Sequence, residues 1–254
     1  MVTWLTALKN RSQLFFWFGL YFIVMTIFCF TKAIYHHDSI LGTGAFLKPL
    51  KYFTTLALFS WSIGWIIHHL HSSVVKKVVS ISFAVSMLIY SGIILLQSNR
   101  GVTSHYNLST PFDKMLYYSL CISAFVFFMA VTLLTVTFFN QKKIRISQHY
   151  TWGIRMGLLI FTFSILVGFL MIMNMSHTIG GYDGSKGLPL LNWSRSYGDL
   201  RVSHILGLFS LQIIPLMSYY WFKTKTQVLA FSFLYITVAV IFLITALMGL
   251  PLIP

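Results

Sequence analysis

Seven long apolar stretches run through this chain of 254 residues and constrain its fold more than any other feature. A helix needs about 20 mostly apolar residues to cross the hydrocarbon core of a bilayer. A charge at the centre of such a helix costs roughly 2.5–3.5 kcal/mol, and only Lys51, at the edge of the second stretch, carries one within the seven. The sequence therefore predicts an all-α integral membrane protein with seven transmembrane helices. The predicted spans, in a single domain of residues 1–254, lie near residues 14–31, 50–70, 78–97, 115–139, 156–177, 202–222 and 228–250.

The composition agrees with this fold class. Hydrophobic residues make up 57% of the chain and charged residues 9%, whereas about 25% of a soluble domain is charged. The net charge of +14 does not indicate a nucleic-acid-binding protein, because the basic residues lie beside the ends of the spans rather than in one patch. We predict the lipid bilayer as the partner and no nucleic acid, and the sequence identifies no protein partner.

The loops differ in charge between the two sides of the predicted bundle. Ten Lys and Arg residues and no acid belong to the side of the N-terminus, whereas eight Lys and Arg and all four Asp belong to the other side. Short cytoplasmic loops are enriched in Lys and Arg. The sequence therefore predicts an inner (plasma) membrane protein with a cytoplasmic N-terminus and an external C-terminus. The long loops 32–49, 98–114 and 178–201 are then external.

One candidate site segment, QSNRGVTSHYNLSTPFD at 97–113, joins the third and fourth spans. Thr110 followed by Pro111 is typical of a helix start, with Thr as the N-cap and Pro at the first helical position. Asp113 suits the N-terminus of the same helix, where the helix dipole favours negative charge. The candidate site residues in this segment are Arg100, His105, Asn107 and Asp113.

A second segment, residues 176–204, joins the fifth and sixth spans and ends inside the sixth. At about 100° per residue, Arg201, His204 and Gln212 fall within an arc of about 80° on that helix. An ionisable side chain inside a span is a functional-site hypothesis by default, although a neutral histidine that hydrogen-bonds across the bundle is the structural alternative. Asp199 is placed to cap the sixth span. The candidate site residues here are His177, Asn192, Trp193, Asp199, Arg201, His204 and Gln212.

Several familiar classes of membrane protein are disfavoured. A retinal protein needs a lysine well inside a helix, and ion-coupled transporters usually carry carboxylates within their spans. The seven stretches have neither. The chain also lacks the motifs of zinc proteases, of α/β-hydrolases and of dinucleotide-binding folds.

The strings RGVTSHYNLSTPFD (100–113) and LPLLNWSRSYGDLRVSH (188–204) resemble the motifs of an uncharacterised family of bacterial multi-pass inner-membrane proteins. The resemblance covers about an eighth of the chain. It implies a membrane fold and no established activity. The family pattern often has a further histidine one turn after His204, where this chain reads LGLFS at 206–210, and this departure disfavours paired ligands on the sixth span.

Two functions fit these residues, and the sequence leaves both open, as it leaves open whether the protein is an enzyme. In the first, an external pocket binds haem or a transition metal through His105, His177 and His204, with Asp113 or Asp199 completing the site by orienting an imidazole. Neutral imidazoles suit haem iron, copper and zinc. In the second, the protein is a non-enzymatic binding or small-solute permeation protein whose Arg, Asp and His groups form a structural network.

Overall fold

The computed structural model describes residues 3–185 and 187–252, and most of them are helical. Two short antiparallel ladders lie in loops, β1 (Ser39–Ile40) with β2 (Thr43–Gly44) and β3 (Thr178–Ile179) with β4 (Gly198–Asp199). The helices in the described residues are α1 (Trp4–Arg11), α2 (Gln13–Tyr35), α3 (Leu47–Ile67), α4 (Ser73–Asn99), α5 (Pro111–Asn140), α6 (Gln148–Asn174), α7 (Leu200–Tyr220) and α8 (Lys225–Leu247).

Helices α2 to α8 are each long and apolar enough to cross a membrane. The structure thus confirms an all-α, seven-helix membrane protein. Each of the seven helices begins before its predicted span, as in α6, which begins at Gln148 rather than near 156, because an apolar window marks the hydrocarbon layer and not the polar turn before it. Helices α3, α6, α7 and α8 end two or three residues before the predicted spans do. Many apolar side chains on these helices are exposed, including Ile122 at 65% and Phe233 at 72%, as expected where a helix faces lipid tails.

Helix α1 was not predicted, because it is too short and too polar to resemble a span. The hydroxyl oxygen of Thr3 accepts a hydrogen bond from the Thr6 backbone N–H at 3.2 Å and caps its N-terminus. Leu8 is fully buried and anchors the helix. Ser12 has extended backbone angles and separates α1 from α2.

The chain divides into two compact units, residues 1–134 and 135–254, with the boundary inside α5. In the first unit, α2 packs along α3 through aromatic side chains. The rings of Phe22 and Phe53 lie 6.0 Å apart, and both residues are almost wholly buried. Gly19 has no side chain at the point where the Trp61 ring crosses α2, and a Cβ there would overlap the indole.

In the second unit, α6 and α7 pack closely through small residues. A Cβ on Gly207 would lie 2.7 Å from the Cβ of Ser164, and a Cβ on Gly157 would lie 3.0 Å from the Ser210 carbonyl oxygen. The Ser210 hydroxyl donates to the Gly157 carbonyl at 2.9 Å. Small residues let helix backbones approach closely in membranes, where association depends on packing and interhelical hydrogen bonds.

Both predicted helix starts are confirmed. Helix α5 begins at Pro111, and the Asp113 N–H donates to the Thr110 hydroxyl oxygen at 3.1 Å. Asp199 caps α7 by accepting a hydrogen bond from the Arg201 N–H at 3.0 Å. The two candidate site segments therefore end in helices whose first residues are fixed by side-chain hydrogen bonds.

Candidate functional site

The candidate site residues divide between the two compact units. One group belongs to residues 1–134, and the other belongs to residues 135–254. The first group consists of Arg100, His105, Asn107 and Asp113, and the second consists of His177, Asn192, Trp193, Asp199, Arg201, His204 and Gln212.

In the first unit, Asp113 is buried and accepts several hydrogen bonds. The Arg100 guanidinium donates to its Oδ1 at 2.5 Å and the Gln97 amide donates to the same oxygen at 2.9 Å. The Thr110 hydroxyl donates to Oδ2 at 2.6 Å. Asn107 supports this turn, since its Oδ1 accepts a hydrogen bond from the Ser109 hydroxyl at 2.7 Å. These bonds tie the 100–110 loop to the adjoining ends of α4 and α5.

His105 contacts protein groups through both ring nitrogens. Lys48 Nζ lies 3.0 Å from Nδ1, and the Tyr90 hydroxyl lies 2.8 Å from Nε2. Lysine donates and does not accept, so Nδ1 is the acceptor and Nε2–H faces Tyr90. A metal at Nδ1 would meet the Lys48 ammonium, and a metal at Nε2 would displace a proton and a hydrogen bond. The structure therefore gives no support to the predicted ligand role of His105.

In the second unit, the β3–β4 ladder brings His177 close to the start of α7. Thr178 pairs with Asp199 in this ladder. The Leu200 N–H donates to the His177 carbonyl at 3.0 Å. His204 follows Leu200 by four residues, or about 6 Å along the helix axis. The two histidines therefore lie at the same end of the α6–α7 pair.

The His177 imidazole is held by Asp183. Its Nδ1 lies 2.5 Å from Asp183 Oδ2, and both side chains are mostly buried, with 17% and 19% exposed. An ionised carboxylate only accepts hydrogen bonds, so Nδ1 carries a proton, and Nε2 is the lone-pair nitrogen when the ring is neutral. Burial alone raises the pKa of Asp183, but hydrogen bonds from His177 and Ser176 hold that pKa well below its ordinary range.

The His204 imidazole is oriented in the same way by a backbone group. Its Nδ1 lies 2.7 Å from the Ser164 carbonyl oxygen on α6, so this nitrogen donates and Nε2 again carries the lone pair. The Ser164 hydroxyl donates in return to the His204 carbonyl at 2.5 Å. Gly168 leaves room for the ring, because a Cβ there would lie 3.0 Å from the imidazole Cε1.

Asp199 and Arg201, which lie between His177 and His204 in the sequence, form a bidentate ion pair. Arg201 Nε donates to Asp199 Oδ1 at 2.9 Å, and its Nη2 donates to Oδ2 at 2.6 Å and to the Asn192 carbonyl at 2.5 Å. The Trp193 carbonyl accepts a hydrogen bond from the Leu188 N–H at 2.8 Å and closes the neighbouring turn. These residues hold the 188–199 loop on α7.

Asp113 and Asp199 each pair with an arginine in this structure, so the predicted role of either carboxylate in orienting an imidazole stays a prediction. The carboxylate on an imidazole is Asp183, which the sequence did not single out. Asp183 reaches His177 through an irregular loop, residues 176–183, and such a loop has no hydrophobic periodicity from which the contact could be predicted. Gln212 is half-buried on α7.

In both imidazoles Nδ1 donates to an acceptor, which leaves Nε2 as the lone-pair nitrogen of the neutral ring. Within residues 3–185 and 187–252, no group of three or more His, Cys, Asp or Glu side chains is placed to hold a metal ion. A metal at His177 and His204 would therefore keep open coordination positions for water or a small ligand. A neutral imidazole of this kind can also act as a general base.

Comparison with known proteins adds no assignment. No family model matches the chain. No curated protein matches it, and no solved structure matches it.

Proposed function

We propose that this membrane protein binds a transition-metal ion, such as zinc or copper, through Nε2 of His177 and Nε2 of His204. One observation carries the proposal: each imidazole has Nδ1 hydrogen-bonded to an acceptor, Asp183 Oδ2 at 2.5 Å and the Ser164 carbonyl at 2.7 Å. Histidines that ligate metals almost always donate their other ring N–H to a carboxylate, carbonyl or water. The proposal replaces the three-histidine site predicted from the sequence, since His105 is engaged by Lys48 and Tyr90.

The membrane and the orientation belong to the same proposal. We place the chain in the inner (plasma) membrane with a cytoplasmic N-terminus, on the count of ten Lys and Arg residues against no acid on that side. The site then faces outward, where two open coordination positions would meet external solutes. A reporter that is active only outside the cell, fused after Lys143, should give no signal.

Metal binding by the intact protein is the direct test. We expect the detergent-purified chain, with any histidine tag removed, to take up one Zn²⁺ per molecule in equilibrium dialysis. Asp183→Asn should weaken binding about 10- to 100-fold, the usual effect of losing an outer-shell partner. Asp38→Asn is the matched control, because Asp38 is also a loop carboxylate beside a histidine, His36, and it is 75% exposed. A wild-type protein that binds no Zn²⁺ or Cu²⁺ would refute the proposal.

Acidification should release the metal without opening the loop. Protonated imidazoles do not ligate metals, so we expect loss of Zn²⁺ as the pH falls from about 7 to about 5. The Asp183 pKa is lowered in the folded protein, so its contribution to stability is present above its unfolded value of about 3.9 and is lost only at still lower pH. At pH 5 the protein should therefore have lost its zinc, while the contribution of Asp183 to the melting temperature is still present. Zinc that is retained at pH 5 would contradict histidine ligation.

The non-enzymatic reading has its own support in the two arginine networks. Asp113 with Arg100 and Asp199 with Arg201 are closed ion pairs that fasten loops to helix ends. Both can serve a binding or permeation protein that needs no metal. That function is favoured if the purified protein is metal-free and does not bind added Zn²⁺ or Cu²⁺.

A further inference from the structure

A compact basic cluster lies in the first unit, where α1 meets the end of α3 and the start of α4. We define it as Arg11, His68, His69 and Lys76. Lys76 Nζ donates to the His68 carbonyl at 3.3 Å, and the His68 and His69 rings lie 5.5 Å apart. The Arg11 guanidinium lies 3.7 Å from the centre of the Trp65 ring, one turn before the histidines. Three separate elements thus bring basic side chains to one place.

Tryptophan side chains lie beside Arg11 of this cluster, beginning with Trp65. Trp4 on α1 stacks on Trp65 at 6.1 Å and meets the edge of Trp61 at 5.4 Å. Trp4 remains 50% exposed, and Trp17 on α2 is 56% exposed. Tryptophan is enriched at the boundary between lipid tails and headgroups. These tryptophans therefore indicate that the basic cluster lies at headgroup depth.

Acidic residues are scarce in this part of the chain. Between residue 1 and residue 112 the sequence contains a single acid, Asp38. In the described part of the chain, the carboxylate ion pairs involve His36, Arg100, His177 and Arg201, and neither Arg11 nor Lys76 takes part. Burial, Arg11 and His68 lower the pKa of His69 to about 4. A bound anion would relieve this concentration of positive charge.

We propose that the basic cluster binds the phosphate headgroup of an anionic phospholipid, with the acyl chains lying beside the exposed tryptophans. Each Lys or Arg near a membrane surface contributes about 1 kcal/mol to the attraction for anionic lipid. Arginine also fits phosphate geometry, because its planar fork donates two parallel hydrogen bonds. A soluble phosphate has the same charge, but it has no acyl chains to place against Trp4 and Trp17.

Lipid binding by the full-length protein tests this proposal. We expect detergent-purified wild-type protein to retain phosphatidylglycerol over phosphatidylcholine in native mass spectrometry, and to melt at higher temperature with added phosphatidylglycerol. Arg11→Gln/Lys76→Gln should weaken phosphatidylglycerol binding about 30-fold, the loss expected for two cationic contacts. Lys9→Gln/Lys77→Gln removes the same charge from the same two helices outside the cluster, and should keep most of the wild-type preference.

Three results would overturn the site. Equal binding of the two lipids by wild type would show no headgroup recognition. An equal loss in both double variants would show a diffuse basic surface rather than a cluster. Stabilisation by inorganic phosphate or glycerol phosphate equal to that by phosphatidylglycerol would assign the cluster to a soluble anion.

Arg11 packs on Trp65, so its replacement can disturb folding as well as lipid binding. Two single lysine variants avoid this problem. Lys76→Gln and Lys77→Gln change neighbouring lysines, of which Lys76 is half-buried at His68 and Lys77 is exposed. We expect Lys76→Gln to lower phosphatidylglycerol binding several-fold more than Lys77→Gln. Identical behaviour of the two single variants would also refute the proposal.

Discussion

Replacing Gly207 by leucine is expected to prevent α7 from packing on α6. A Cβ at this position would already lie 2.7 Å from the Ser164 Cβ and 3.4 Å from the Ser164 Cα, so leucine has no rotamer that avoids the neighbouring helix. Overpacking of this kind costs about 1–3 kcal/mol and occasionally more. We expect the upper end or beyond, because the closest atom is the Ser164 Cβ, which is attached directly to the α6 backbone and cannot rotate away. Thermal melting by fluorescence-detected size exclusion would show a large fall in melting temperature or loss of the monodisperse peak.

The control for this substitution is Gly92→Leu on α4. A Cβ at Gly92 meets no atom within 4 Å, and replacing a helical glycine by a better helix former stabilises a helix by about 0.5–1 kcal/mol. The two variants add the same side chain to a membrane-spanning helix and differ in the space beside it. Similar melting temperatures for both would show that close α6–α7 packing contributes little to stability.

The seven spans could be read from the sequence because lipid imposes a simple rule on every residue of a span. Charges are excluded, so apolar length alone marks α2 to α8. The starts of α5 and α7 were equally readable, since Thr110 before Pro111 and Asp199 before Leu200 satisfy orphan N–H groups in a way that depends only on neighbouring residues. Helix α1 was not predicted because it does not cross the membrane, so it needs no long apolar stretch.

The candidate site was only partly predictable, because its geometry depends on a turn. The sequence singled out His177 and His204 by their position at span ends, and both lie at one end of α6 and α7. It did not predict Asp183, whose contact with His177 arises from the fold of the 176–183 loop. The sequence offered Asp113 or Asp199 as the carboxylate that orients an imidazole, whereas each pairs with an arginine, which is a stronger partner for a buried carboxylate than a neutral ring is.

Replacing His204 by glutamine is expected to abolish metal binding while the protein still folds. Glutamine is neutral and its amide nitrogen can still donate a hydrogen bond toward the Ser164 carbonyl, now 2.7 Å from the imidazole Nδ1. Its amide oxygen is a poorer ligand for zinc or copper than the imidazole Nε2, so a site with two protein ligands would lose one of them. We expect a fall of at least about 100-fold in Zn²⁺ affinity, beyond the range for an outer-shell partner, with a melting temperature near that of wild type in the absence of metal.

His105→Gln provides the matched comparison, because it makes the same chemical change in the other unit. Both nitrogens of His105 contact protein groups, Lys48 and Tyr90, so this variant should keep its zinc and lose stability. Opposite results would return the ligand role to His105. If His204→Gln instead lowers the melting temperature and leaves Zn²⁺ affinity unchanged, His204 is an interhelical strut: its bond to Ser164 then serves to hold α7 against α6, and the metal site is elsewhere or absent.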